Sequence, residues 1–190
     1  VGRWAEPGTG FDYSGANTVV LGWVVEKITG MPFHDAVSRE IWTQLGAEHD
    51  AAIYAARNGI PLTSGGLLAT PRDVARFGLL FTPSAAKTAH RPVVSSRHIE
   101  HLRSGGRPDL LRQARFGGGR LPDGVKHNVY QWDRGFENND LYKGGWAGQG
   151  LLVNPDRDLV AVWVGYQRKE GQDLRMLPIV RRVLNGVFER

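Results

Sequence analysis

Residues 150–166, GLLVNPDRDLVAVWVGY, constrain the fold more tightly than any other stretch of this 190-residue chain. Two apolar runs flank Asn154-Pro155-Asp156, residues that favour a tight turn, so the segment is predicted to be a β-hairpin. Upstream, VKHNVYQW (125–132) alternates in strand fashion and LYKGG (141–145) supplies a further short strand. The chain before residue 104 has the other period. Val19, Val20, Trp23, Val24 and Ile28 fall on one helical face behind a Ser14 N-cap, and Gly30 ends that helix. Pro32 opens a second helix with Phe33, Val37, Ile41 and Trp42 inward and Gly46 as its stop. Thr70 and Pro71 start a third, whose buried stripe is Val74, Phe77 and Leu80 or Phe81. Ser95 or Ser96 caps a short helix through Leu102, and a last amphipathic helix runs from about Leu174 to Phe188. Segments 47–63, 82–92 and 104–125 read as irregular, apart from a short strand in AAIYAA. Helices, then about three antiparallel strands, then a closing helix make an α+β arrangement. Its helical region spans about 13–115, and its strands with the closing helix about 125–190.

Composition removes several classes of function. With 41% hydrophobic and 23% charged residues, the chain can pack one core. Its net charge is +5, but Arg168-Lys169 and Arg181-Arg182 are the only adjacent basic pairs. Nucleic-acid binders cluster such charge on one stripe, so a solvated surface is expected and no nucleic-acid partner. The absence of cysteine excludes disulfides, thiolate nucleophiles and zinc–thiolate sites. No apolar run reaches the roughly 18 residues of a membrane span. His98 and His101 lie three apart without a third ligand nearby, which favours surface histidines over a metal site. Gly117-Gly118-Gly119 lacks the strand–turn–helix setting of a dinucleotide loop and reads as plain loop. No G-x-S-x-G elbow, Walker loop or H-E-x-x-H motif occurs. The opening VGRWAEPGTG reads as the interior of a longer protein, and compartment (periplasm or cytoplasm) and oligomeric state stay open.

Five segments occur in a telling order: FDYSGANTVVLGWVVEKITG, IWTQLGAEHDA, SGGLLATPRDVARFG, YQW and KGGWAGQGLLVNPDRDLVAVWV. Together, from about Pro7 to Arg182, they resemble the serine β-lactamase and penicillin-binding-protein-like hydrolases. The likeness is greatest to the branch containing 6-aminohexanoate-dimer hydrolase and β-lactamase-fold esterases. The resemblance implies a β-lactamase/transpeptidase-like α+β fold whose N-terminal part lies outside this chain. It also implies cleavage of a small-molecule amide or ester through an acyl-serine intermediate, with no metal or organic cofactor.

Three elements serve that chemistry in the family. A Ser-x-x-Lys motif supplies the nucleophile, because a serine hydroxyl attacks only when a neighbouring base takes its proton. A tyrosine relays protons, and it needs a nearby ammonium because a phenol ordinarily titrates near about 10. A Lys-Thr-Gly-like strand lines the pocket, and the N–H that follows faces the developing oxyanion. By resemblance Tyr13 is the tyrosine, Lys143-Gly144-Gly145 is the third element, and Trp146 carries the oxyanion N–H. Gly15 stands where the family motif has asparagine and Gly144 where it has threonine, two departures that lean away from β-lactam recognition. Tyr130 and Trp132 either wall the pocket or belong to the core. The one Ser-x-x-Lys here, Ser84-Ala85-Ala86-Lys87, follows the tyrosine and sits in a proline-flanked loop, so it reads as a chance match. The nucleophile is expected upstream of Val1. Exposed apolar surface is then expected on the helices after Tyr13 and on one strand face. The alternative is a non-catalytic binding or sensor domain that keeps the pocket.

Overall fold

A computed structural model describes residues 4–113, 121, 123–166 and 176–188. Gly117-Gly118-Gly119 lies outside the described residues. The chain is built around one antiparallel meander of five strands in the order β3-β4-β5-β6-β7. These are β3 (Val125–Val129), β4 (Trp132–Phe136), β5 (Leu141–Gly144), β6 (Gly150–Asn154) and β7 (Leu159–Trp163). The 150–166 hairpin forms as expected, with Gly150 opposite Trp163 and Asn154 opposite Leu159. Its turn is closed by the Asn154 side chain, whose Oδ1 accepts from the N–H groups of Asp156 and Arg157. VKHNVYQW, however, is not one strand. Tyr130 and Gln131 make a two-residue turn, so Trp132 returns on the next strand opposite Val129. A register shift in this pair lets Trp132 and Phe136, two positions of equal parity, reach opposite faces of the sheet.

Both faces are covered. On one side Leu141, Leu151 and Val153 pack with Trp132 and Leu102 under α3 (Pro71–Leu79) and α5 (Ser96–Ser104). On the other, Phe136, Tyr142 and Leu152 pack against Leu177, Val180 and Leu184 of α7 (Met176–Phe188). Arg181 fastens that helix, reaching Asp140 at 2.9 Å with its guanidinium over the Phe136 ring. The starts of α3 and α5 follow the sequence: Thr70 Oγ1 accepts from Asp73 N–H (3.1 Å) and Ser95 Oγ from His98 N–H (3.2 Å).

Before the sheet come α1 (Gly15–Thr29) and α2 (Phe33–Val37), which continues as a π-helical turn over Ser38–Trp42. Gly30 ends α1 in the left-handed conformation, its N–H donating to Glu26 O. A two-stranded ribbon, β1 (Ala52–Ile53) with β2 (Leu67–Leu68), follows. Single short helices α4 (Ala85–Thr88) and α6 (Pro108–Gln113) occur inside stretches expected to be irregular. Ser14 takes the N-cap backbone position of α1, but its side chain makes no cap hydrogen bond.

The α1 face is open. Val20, Leu21, Trp23, Val24 and Ile28 are exposed, Ile28 to 78%, and Gly22 is the helix's one buried residue. A helix apolar on most sides is built for burial. Exposure on α1 and on one strand face was expected; β2 does expose Leu67 and Leu68, whereas among the described residues the main sheet is covered by α3, α5 and α7.

Candidate active site

Antiparallel pairing brings the relevant side chains to one end of the sheet. Lys143 and Gly144 end β5, Gly150 begins β6, and Val129 to Asp133 form the β3–β4 tip. Arg134 is opposite Tyr142, so Asp133 stands beside Lys143 across the strands. The Lys143 ammonium donates to Asp133 Oδ1 at 2.7 Å, and Gly144 N–H donates to Asp133 Oδ2 at 2.7 Å. One carboxylate therefore fixes both the lysine and the backbone behind it. The ammonium also sits 5.8 Å from the centre of the Tyr13 ring, within cation–π range. Tyr13 is half exposed at the entry to α1. Tyr13 and Lys143, both singled out by the resemblance, thus lie near each other in space, although 130 positions separate 13 from 143.

Gly144 has a local reason. A Cβ there would lie 2.8 Å from the Tyr142 hydroxyl and 3.3 Å from Asp133 Oδ2. A side chain there would push the Tyr142 hydroxyl aside and crowd the carboxylate that holds Lys143. At Gly15 a Cβ would meet Ser64 at 3.4 Å, so the space an asparagine side chain would enter is bounded by Ser64. Gly145 N–H donates to Gln149 O at 2.9 Å, closing the turn that presents Trp146. The Trp146 side chain is 87% exposed.

A cleft of about 370 Å³ opens beside Tyr13. Its walls include Phe11, Tyr13, Leu110, Tyr130, Trp132 and Asp133. Trp132 resolves the sequence alternatives both ways: it is 6% exposed and packs edge-on against Phe81 at 5.2 Å, yet it also lines the cleft. Tyr130 belongs to the cleft rather than the core, being exposed. Gly15, Lys143, Gly144, Gly145 and Trp146 lie next to this group along the chain but do not line the cleft wall itself.

Ser84-Ala85-Ala86-Lys87 is elsewhere. Ser84 Oγ donates to Asp158 Oδ2 (2.7 Å) and its N–H to Oδ1 (3.0 Å), at the β6–β7 turn, the end of the sheet away from Lys143. Hydrogen bonds from Thr82 and Ser84 hold the Asp158 carboxyl below its ordinary range. The motif is a helix-start anchor here. His98 lies near Tyr130, and no group of three metal-ligating side chains occurs among the described residues. No helix among the described residues is long and apolar enough to cross a membrane.

Asp133 was missed by sequence reasoning, although it follows the quoted YQW directly. No local signal marked it, because the placement of 133 against 143 follows from a strand register that the linear sequence leaves open. Arg107 and Leu110 of the cleft were missed with helix α6.

The Beta-lactamase family model matches residues 1–185. Over 156 residues the chain is 34% identical to the 6-aminohexanoate-dimer hydrolase of Paenarthrobacter ureafaciens, covering 82% of this chain and 39% of that protein. A proposed 6-aminohexanoate-dimer hydrolase from Bacillus anthracis superposes with a TM-score of 0.76 at 26% identity, over 96% of this chain and 45% of that one. A β-lactamase from Mycobacterium bovis shares the fold with a TM-score of 0.66 at 21% identity, over 97% of this chain and 66% of that one. The chain thus spans less than half the length of the two 6-aminohexanoate-dimer hydrolase relatives.

Proposed function

Because this chain belongs to the beta-lactamase family, we propose that it supplies the proton-relay and pocket-wall half of a serine hydrolase cleaving amide or ester bonds. The observation that carries this reading is the grouping of Tyr13 and Asp133 on the cleft wall with Lys143, which is bonded to Asp133 and lies 5.8 Å from the Tyr13 ring. In the proposed cycle a serine from the part of the fold beyond this chain's span attacks the substrate carbonyl. Its proton passes through the Tyr13 oxygen toward the leaving nitrogen or oxygen, which departs protonated. Water then repeats the sequence on the acyl-serine and releases the acid. Lys143 is held by Asp133 beside the tyrosine ring. The Trp146 N–H is assigned to the oxyanion, where a fixed donor is worth more than a solvent one.

The names of the two 6-aminohexanoate-dimer hydrolase relatives favour a linear amide over a β-lactam, and two local features support that choice. Gly15 removes the amide side chain of the family motif. At Gly144 the threonine hydroxyl of the family motif, a donor to a substrate carboxylate, is absent. The neighbouring side chains there are the buried Tyr142 and an Asp133 carboxylate whose two oxygens are already taken by Lys143 and the Gly144 N–H. No metal or organic cofactor is part of the proposal, and the substrate is a small molecule.

Fluorophosphonate labelling of the intact protein tests it. A serine in an upstream Ser-x-x-Lys should be labelled, and Tyr13→Phe should slow p-nitrophenyl ester turnover by roughly 10²-fold or more. An intact upstream motif that reacts with neither probe would falsify the acyl-enzyme reading and leave the binding-domain alternative.

A further inference from the structure

The β3–β4 turn carries backbone strain at the mouth of the cleft. Its two central residues, Tyr130 and Gln131, have φ of 46° and 68°. A two-residue hairpin turn of this form asks for positive φ at both positions, which asparagine and glycine adopt readily and bulky L-residues resist. Neither favoured residue is present. The turn is instead held by its neighbours. Trp132 at its base is locked against Phe81, Gln131 Oε1 accepts from Thr18 Oγ1 of α1 at 3.2 Å, and the Tyr130 ring lies 5.0 Å from the His98 ring of α5. Despite these restraints Tyr130 is 58% exposed, and both turn residues line the cleft. Strain of this kind persists only where surroundings over-determine it, and it concentrates at ligand clamps.

We propose that the Tyr130-Gln131 turn is the specificity-determining lip of the cleft. The Tyr130 ring covers the acyl portion of the substrate remote from the scissile bond, and the Gln131–Thr18 bond sets the lip's distance from α1. The flat aromatic walls contributed by Phe11, Tyr130 and Trp132, with Leu21 and Leu110, suit an unbranched apolar acyl chain. The inference rests on the acyl-transfer reading for what is cleaved, but not for where the chain lies.

The test replaces the turn by its unstrained equivalent, Tyr130→Asn with Gln131→Gly, in the intact protein. Relief of strain should raise Tm by roughly 2–6 °C. The kcat/KM for p-nitrophenyl hexanoate relative to p-nitrophenyl acetate should fall about tenfold or more, since buried methylenes lose their wall. Thr18→Val, which frees Gln131 without altering the ring, should lower the same ratio in part and leave Tm without a gain; it decides the matter if the double variant fails to fold. An unchanged ratio overturns the lip whatever Tm does. Binding of N-butylhexanamide, followed by ligand-observed NMR, separates this proposal from the catalytic one. Loss of binding in the double variant without turnover in any form would keep the lip and remove the hydrolase reading. Intact turnover with unchanged ratio and unchanged amide binding would do the reverse.

Discussion

At the scale of the residue, Asp133 organises the site. Its two oxygens take the Lys143 ammonium and the Gly144 N–H, each at 2.7 Å, so a single side chain fixes the charge and the strand end together. The pair keeps some contact with water, the Lys143 side chain being 37% and the Asp133 side chain 24% exposed, which limits its contribution to folding: Asp133→Asn should cost about 1 kcal/mol in urea unfolding. Its effect on the chemistry should be larger. With Lys143 no longer held beside Tyr13, ester turnover in the intact protein should drop roughly tenfold or more, because misplacement of about an ångström is expensive in a preorganised site. Unchanged kinetics in that variant would show that Lys143 is held by something else. The tyrosine and the lysine could be singled out in the sequence because each sits in an ordered run of family-like segments. Asp133 could not, because nothing in YQWDRG announces that residue 133 will stand opposite residue 143 until the strand register is known.

At the scale of the element, starts and turns were legible where a side chain speaks to its own backbone. Thr70 both accepts from Asp73 N–H and donates to Asp73 Oδ2 at 2.8 Å, and Asp73 is fully buried at the start of α3. Thr70→Ala should therefore lower stability by about 1–2 kcal/mol, readable as a shift of the denaturant midpoint at constant slope. Burial alone would raise the Asp73 carboxyl, but hydrogen bonds from the Glu48 N–H and the Thr70 hydroxyl outweigh it and hold the group below its ordinary range. The β3 strand adds a second acid-sensitive group. His127 is buried, with Nε2 set 3.1 Å from Arg103 O, and burial holds its pKa below the ordinary value of 6.5. The neutral ring is thus favoured in the fold. Its contribution is complete above pH 6.5 and is lost as pH falls through the depressed folded value. Melting temperature should fall on acidification below that point, and His127→Gln should flatten the fall; parallel curves would exclude His127 as the cause. What the alternation in VKHNVYQW hid was the turn at Tyr130-Gln131, since neither residue carries the usual turn chemistry and the strain there is met by tertiary neighbours.

At the scale of the whole molecule, the main sheet is finished and α1 is not. Leu102, Trp132, Leu141, Leu151 and Val153 close one face, Phe136, Tyr142, Leu152 and Leu177 the other, whereas Trp23, Val24 and Ile28 remain in water. An apolar surface of this extent calls for cover. The chain studied alone should bind the dye ANS, and Trp23→Glu with Ile28→Lys should sharply reduce that fluorescence without lowering Tm; an unchanged signal would place the dye elsewhere. Local sequence determined the helix starts at Ser95 and Thr70, the hairpin about Asn154 and the α+β order, because capping, turn and periodicity signals act within a few residues, whereas Tyr13 and Lys143 were candidates through the family resemblance alone. Only the tertiary structure decided that the tyrosine ring and the lysine lie 5.8 Å apart, that Asp133 fixes the lysine, and that Ser84 is tied to Asp158 at the far end of the sheet. Those outcomes depend on register and on packing between distant segments, which a linear pattern of residues leaves unspecified until the strands have paired.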